Sequence, residues 1–118
     1  MTIVVGNLAT PEGQAALDAA VAEAEQRKAP LVVVAGPGEP GWHGADLTER
    51  LRASGVEVRM DPGTGDLAED LVRIALETGA ELMVIGLRRR SPVGKLILGS
   101  GAQRILIEAP CPVLAVKV

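Results

Sequence analysis

The chain has no phenylalanine and no tyrosine, and Trp42 is its only aromatic residue. Its interior must therefore be built from Val, Leu, Ile and Ala, which dominate the 47% of apolar residues. Aliphatic interiors of this kind suit strands buried on both faces, as in parallel sheets. Cysteine is equally scarce. Cys111 has no second thiol to pair with, which excludes an internal disulfide and fits a reducing compartment. One histidine, His43, leaves no cluster with metal-ligand spacing, and no Ser/His/Asp or Cys/His arrangement is evident, so an efficient enzyme is not expected.

Positive charge is also in short supply. The 12 Lys and Arg against 15 Asp and Glu leave a net charge of −3, which argues against nonspecific nucleic-acid binding, although Arg88, Arg89 and Arg90 form one local basic cluster. No apolar run approaches the ~20 residues of a membrane span, and the opening MTIVVG carries no basic leader, so a cytoplasmic protein away from membranes is expected. At 118 residues the chain reads as one domain, 1–118, with a self-sufficient core. No internal repeat or linker stands out.

What is present alternates strand and helix signals. Residues 2–6 (TIVVG) form an apolar run closed by glycine, predicting a buried strand. Thr10 then offers an N-cap with Pro11 at the first helical position, and Leu17, Val21 and Ala24 recur at helical spacing up to about Lys28. Residues 31–35 (LVVVA) predict a second strand, 36–44 (GPGEPGWHG) a loop, and 46–54 a short helix stopped by Gly55. Residues 56–60 (VEVRM) alternate, which predicts a half-exposed edge strand.

Asp66 and Glu69 make a capping-box start for a helix with Leu67, Leu71, Ile74 and Ala75 on one face, stopped by Gly79. A fourth strand follows at 82–86. After a basic, glycine-punctuated loop, Ser100 and Gln103 read as a second capping box, with Ala102, Ile105, Leu106 and Ala109 on the buried face. Pro110 and Pro112 end that helix, and 113–118 predict the closing strand. The pattern is that of an α/β protein: a doubly wound, five-stranded parallel sheet with helices on both faces. Ligands of such sheets bind beyond the carboxyl ends of the strands, here the loops 7–10, 36–44, 61–66 and 87–99.

In the last of these loops Gly86, Gly94 and Gly99 permit close backbone approach, and Ser100 opens a helix whose N–H groups and dipole favour an anion. Here the chain resembles the universal stress protein family, whose nucleotide-binding members carry G-x2-G-x9-G-S/T after strand four. Gly86, Arg89, Gly99 and Ser100 fall on those four positions, with arginine in place of the second glycine. IVVGNLATPEGQAAL resembles the family's opening strand and helix, and APCPVLAVKV its closing strand.

The resemblance implies the Rossmann-like strand order 3-2-1-4-5 and a non-catalytic, ATP- or AMP-binding stress-response or regulatory protein. At most slow nucleotide hydrolysis would accompany binding, with magnesium as an accompanying ion. The implied site has the base near Gly6, Asn7, Leu8, Ala35 and Gly36. The phosphates would lie near Ile85, Gly86, Arg88, Arg89, Gly99, Ser100 and Gly101. The family's adenine-side aspartate is matched by Leu8, a second departure. Arg89 either obstructs the phosphates or grips them through charge-assisted hydrogen bonds. The resemblance also implies a homodimer through the last strand, Val113, Leu114, Ala115, Val116, Lys117 and Val118, an apolar edge that invites pairing. The alternative is a dimeric interaction module of the same family whose ATP site has been lost through Leu8 and Arg89.

Other motifs fit less well. RSPVGKL carries the Gly-Lys of a P-loop, but Arg89 stands at its first glycine and Leu96 at its hydroxyl position, which excludes it. Gly36, Gly38 and Gly41 spell GxGxxG after a strand, with Asp61 at the spacing of a ribose-binding acid, but Pro37 and Pro40 interrupt it and the next helix starts only at Asp46. Trp42 and His43 read either as a base-stacking lid or as side chains covering a core edge. Asp61 and Asp66 lie where a ribose or metal-phosphate would be held, Asp66 more simply being a helix cap, and Cys111 reads as a small buried residue. A receiver-like phosphoacceptor is disfavoured because no acidic pair follows strand one.

Overall fold

The structure is a computed structural model that describes residues 2–7, 10–35, 49, 51–87 and 100–117, with backbone alone at Asn7 and Ser100. Five strands form one parallel sheet: β1 (Ile3–Asn7), β2 (Leu31–Ala35), β3 (Val58–Asp61), β4 (Leu82–Leu87) and β5 (Val113–Lys117). Their order is β3-β2-β1-β4-β5, as the resemblance implies. The helices described over their full length are α1 (Pro11–Arg27), α2 (Leu67–Thr78) and α3 (Ser100–Glu108). None is long and apolar enough to cross a membrane.

Alternation along the strands divides the core into two layers. Ile3, Val5, Leu31, Val33, Leu82 and Val84 pack with Ala16, Leu17, Ala20 and Ala24 of α1 on one face. Val4, Val32, Val34, Met83 and Ile85 pack with Leu71, Ile74 and Ala75 of α2 and Ile105 of α3 on the other. Each fully buried Val, Leu or Ile contributes roughly 1.5–3 kcal/mol relative to an exposed one, so the aliphatic sheet, covered on both sides, dominates stability without aromatic help.

The helix boundaries follow local chemistry. Thr10 is extended and its hydroxyl accepts from the Gly13 amide at 3.1 Å, Pro11 supplies a preset φ, and Lys28 ends α1 in the left-handed region at φ 54°. Asp66 caps α2 by accepting from the Glu69 amide at 3.2 Å, and Gly79 stops it at φ 62°. Only that half of the predicted capping box is present, because the Glu69 carboxylate lies 3.9 Å from Arg104 instead.

Several boundaries differ from expectation by one or two residues. β1 runs on to Asn7 and β4 to Leu87, while β3 starts at Val58 and reaches Asp61. Glu57 already joins the sheet edge, its carbonyl accepting from the Leu31 amide at 2.9 Å. The expectation for Leu106 is corrected: it is 46% exposed and its neighbour Ile107 83%. Among its described residues the helix buries only Ile105, with Ala102 and, just past its end, Ala109 half-buried, and Leu106 lies ~100° around the axis from Ile105. Of the predicted helix over 46–54, Glu49 and residues 51–53 are helical, and Leu51 packs into the α1 face. The rest of it, the 36–44 loop with Trp42 and His43, and Val118 lie outside the described residues.

Candidate functional site

The strand order reverses between β1 and β4, and at their carboxyl ends lies a cavity of about 180 Å³. It is lined by Gly6 of β1, by Glu12, Gly13 and Ala16 of α1, by Leu67, Ala68 and Leu71 of α2, by Val84, Ile85 and Gly86 of β4, and by Gly101, Ala102 and Ile105 of α3. Among the described residues the lining is largely apolar, with Glu12 its one charged residue. Apolar cavities of ~150 Å³ are large enough to take a benzene-sized ring. α1, α2 and α3 bring their first turns to this point, so their positive dipole ends and the first-turn N–H groups not taken up by the caps border the hollow.

Two glycines make that convergence possible. A Cβ on Gly86 would collide with the carbonyl of Glu12, its carbon only 2.6 Å away, so α1's first turn is seated directly on the end of β4. A Cβ on Gly6 would lie 2.9 Å from Cδ2 of Leu67, so the first residue of α2 covers the end of β1. Close backbone approach at Gly86 therefore serves a helix terminus, which in turn forms one wall of the cavity.

Of the residues expected at the site, Gly6, Ile85, Gly86 and Gly101 line this cavity. Asn7 and Ala35 end β1 and β2 side by side in register, with Ala35 buried, and Ser100 is the first residue of α3. Leu8, Gly36, Arg88, Arg89 and Gly99 lie outside the described residues. Asp61 and Asp66 are engaged locally. An Asp61 oxygen accepts from the Gly63 amide at 2.8 Å, and Asp66 caps α2 while lying 3.3 Å from Arg104. Arg104 pairs with Glu108 at 2.8 Å within α3, and through Asp66 and Glu69 it joins α3 to the start of α2. These exposed pairs are individually weak. Cys111 is half-buried beside the second core layer, and burial pushes its thiol up, away from reactivity. No group of three His, Cys, Asp or Glu that could hold a metal occurs among the described residues.

The notable residue that sequence reasoning missed is Asp70, the one buried charged residue among those described, at 1% exposure. Its oxygens accept from the Thr64 amide at 2.7 Å, the Thr64 hydroxyl at 2.8 Å and Arg73 at 3.2 Å. Burial alone would push the carboxyl up, but these three donors outweigh it and hold the group below its ordinary value, ionised at neutral pH. Glu12, Gly13 and Leu67 were also missed. The one available signal was Gly13, a glycine in the first turn of a helix, where close packing is its usual reason.

A parallel sheet of this order, with a ligand-sized hollow at its switch point, defines a Rossmann-like α/β protein. The universal stress protein family profile matches residues 37–117. A universal stress protein from Mycolicibacterium smegmatis is 43% identical over 126 residues, covering 98% of this chain and 96% of that one. A universal stress protein solved in complex with cAMP superposes with a TM-score of 0.69 at 27% identity, covering 98% of this chain and 95% of that one. Another, from Archaeoglobus fulgidus and in complex with dAMP, gives a TM-score of 0.68 at 26% identity over 99% of this chain and 98% of that one. The chain belongs to the universal stress protein family.

The role of Gly86 gives a direct test. Gly86→Ala should be among the most destabilising single substitutions in the chain, because backbone faces the new methyl and neither side can yield. Urea unfolding should show a loss of roughly 1–3 kcal/mol, the usual cost of forced overpacking. An unchanged midpoint would mean that α1 does not rest on β4 as described.

Proposed function

We propose that this protein is a non-catalytic adenine-nucleotide-binding regulator that acts as a homodimer in the cytoplasm. The observation that carries the reading is the apolar cavity between Gly6 and Gly86, ringed by three helix N-termini. An apolar hollow accepts a flat base or the carbon face of a sugar, and first-turn N–H groups donate to phosphate oxygens. The cAMP and dAMP complexes of the relatives support the same ligand class. The base would lie towards Gly6, Asn7 and Ala35, and the phosphates towards Gly86, Ser100 and Gly101. With no acidic cage among the described residues, magnesium would arrive with the phosphates.

Isothermal titration with ATP, AMP and cyclic AMP tests this reading, with Arg89→Gly alongside wild type. Heat from at least one nucleotide is expected. Binding that appears only in the variant would make Arg89 an obstruction, and binding lost in the variant would make it a ligand. No heat from either protein would sink nucleotide binding in favour of the interaction-module alternative.

The dimer reading rests on β5, which pairs with β4 along one side only and is the sheet edge. Val113, Leu114, Ala115 and Val116 are all half-covered rather than buried, an apolar row with free backbone groups of the kind that pairs with a second strand. Light scattering should give twice the 12.2 kDa chain mass for wild type and a shift towards monomer for Val116→Lys. The same dimer mass in a folded variant would place the contact elsewhere.

A further inference from the structure

We propose that Asp70 is a positioning residue of the nucleotide site, an inference that rests on the reading of the cavity above. A buried carboxylate is costly unless it is fully hydrogen-bonded, and capping of α2 does not require one, because Asp66 already fills that role. What Asp70 adds is a hold on the segment before its own helix. It accepts both the amide and the hydroxyl of Thr64, six residues earlier, so residues 61–66 are drawn down onto the sheet.

The grip is tight at Gly63. That residue has φ +69°, and a Cβ there would lie 2.9 Å from Asp70 Oδ2 and 2.9 Å from the Ala35 carbonyl oxygen. The segment is thus wedged between Asp70 and the end of β2, at a residue placed on the base side of the ligand. At its other end the same segment delivers Leu67 onto Gly6, where the leucine lines the cavity. Asp70 touches no ligand position itself. It sets where Leu67 lies relative to Gly6, and so the width of the hollow that receives the base. Any aliphatic residue would fill the volume of Asp70, but only an acceptor facing Thr64 fixes the segment in one register.

The experiment compares wild type with Asp70→Asn, Asp70→Ala and the milder Thr64→Val, using AMP titration and amide hydrogen exchange well below the melting temperature. Ile74→Val, a core change on the same helix away from the segment, serves as the control for stability alone. In Asp70→Ala the Thr64 amide should lose about tenfold or more in protection, and the dissociation constant for AMP should rise about tenfold. Thr64→Val should show a smaller rise, and Ile74→Val none. Unchanged Thr64 protection in Asp70→Ala, an unchanged AMP affinity in both Asp70 variants, or an equal loss in Ile74→Val would each overturn the proposal. A wild type that binds no AMP or other adenine nucleotide would remove the site reading and this inference together, whereas equal AMP affinity in wild type and both Asp70 variants would remove the inference alone.

Discussion

Everything at the ligand edge depends on one close approach, the seating of α1's first turn against Gly86. Because no side chain intervenes, the Glu12 carbonyl rests on the end of β4, and α1 crosses the sheet low enough for Gly13 and Ala16 to border the crevice. Gly6 under Leu67 repeats the device for α2. A larger residue at either strand end would lift a helix N-terminus and alter the cavity. The two glycines thus bring the termini of α1 and α2 down onto the strand ends that border the hollow.

The remainder of the molecule supplies a rigid platform for that arrangement. Central strands buried on both faces by aliphatic side chains leave few alternative packings, since each residue is committed to one layer by its place in the alternation. The absence of Phe and Tyr is compatible with this because small residues on α1, Ala16, Ala20 and Ala24, let that helix lie close to the strands. The one buried charge among the described residues lies at the carboxyl edge, where Asp70, with Thr64 and Arg73, holds residues 61–66 in place. In a sheet so apolar, that buried carboxylate marks where geometry matters more than burial.

The fold was legible because its determinants are local. Continuous runs such as LVVVA, caps at Thr10 and Asp66, and stops at Lys28 and Gly79 act within a few residues of chain, and each lies where expected to within a residue or two. Leu106 escaped because a helical pattern predicts a wider apolar face than a nine-residue helix buries. Most of the described lining was illegible for a different reason: residues such as Glu12 and Leu67 reach the site through inter-element packing on glycines, and spacing along the chain does not record it. Asp70 is the clearest case. As one acidic residue in a helix rich in them, it is distinguished only by a tertiary partner, Thr64.

The proposed adenine-nucleotide site rests on the hollow between β1 and β4 and on the nucleotide complexes of the relatives. The measurement that tests this most directly is an amide chemical-shift map of the isotopically labelled protein titrated with AMP. The account predicts that the largest shifts fall on Gly6, Leu67, Gly86 and Gly101, around the crevice. Shifts centred instead at the opposite end of the sheet, in the polar groove of Lys28, Ser54 and Glu57, would contradict it.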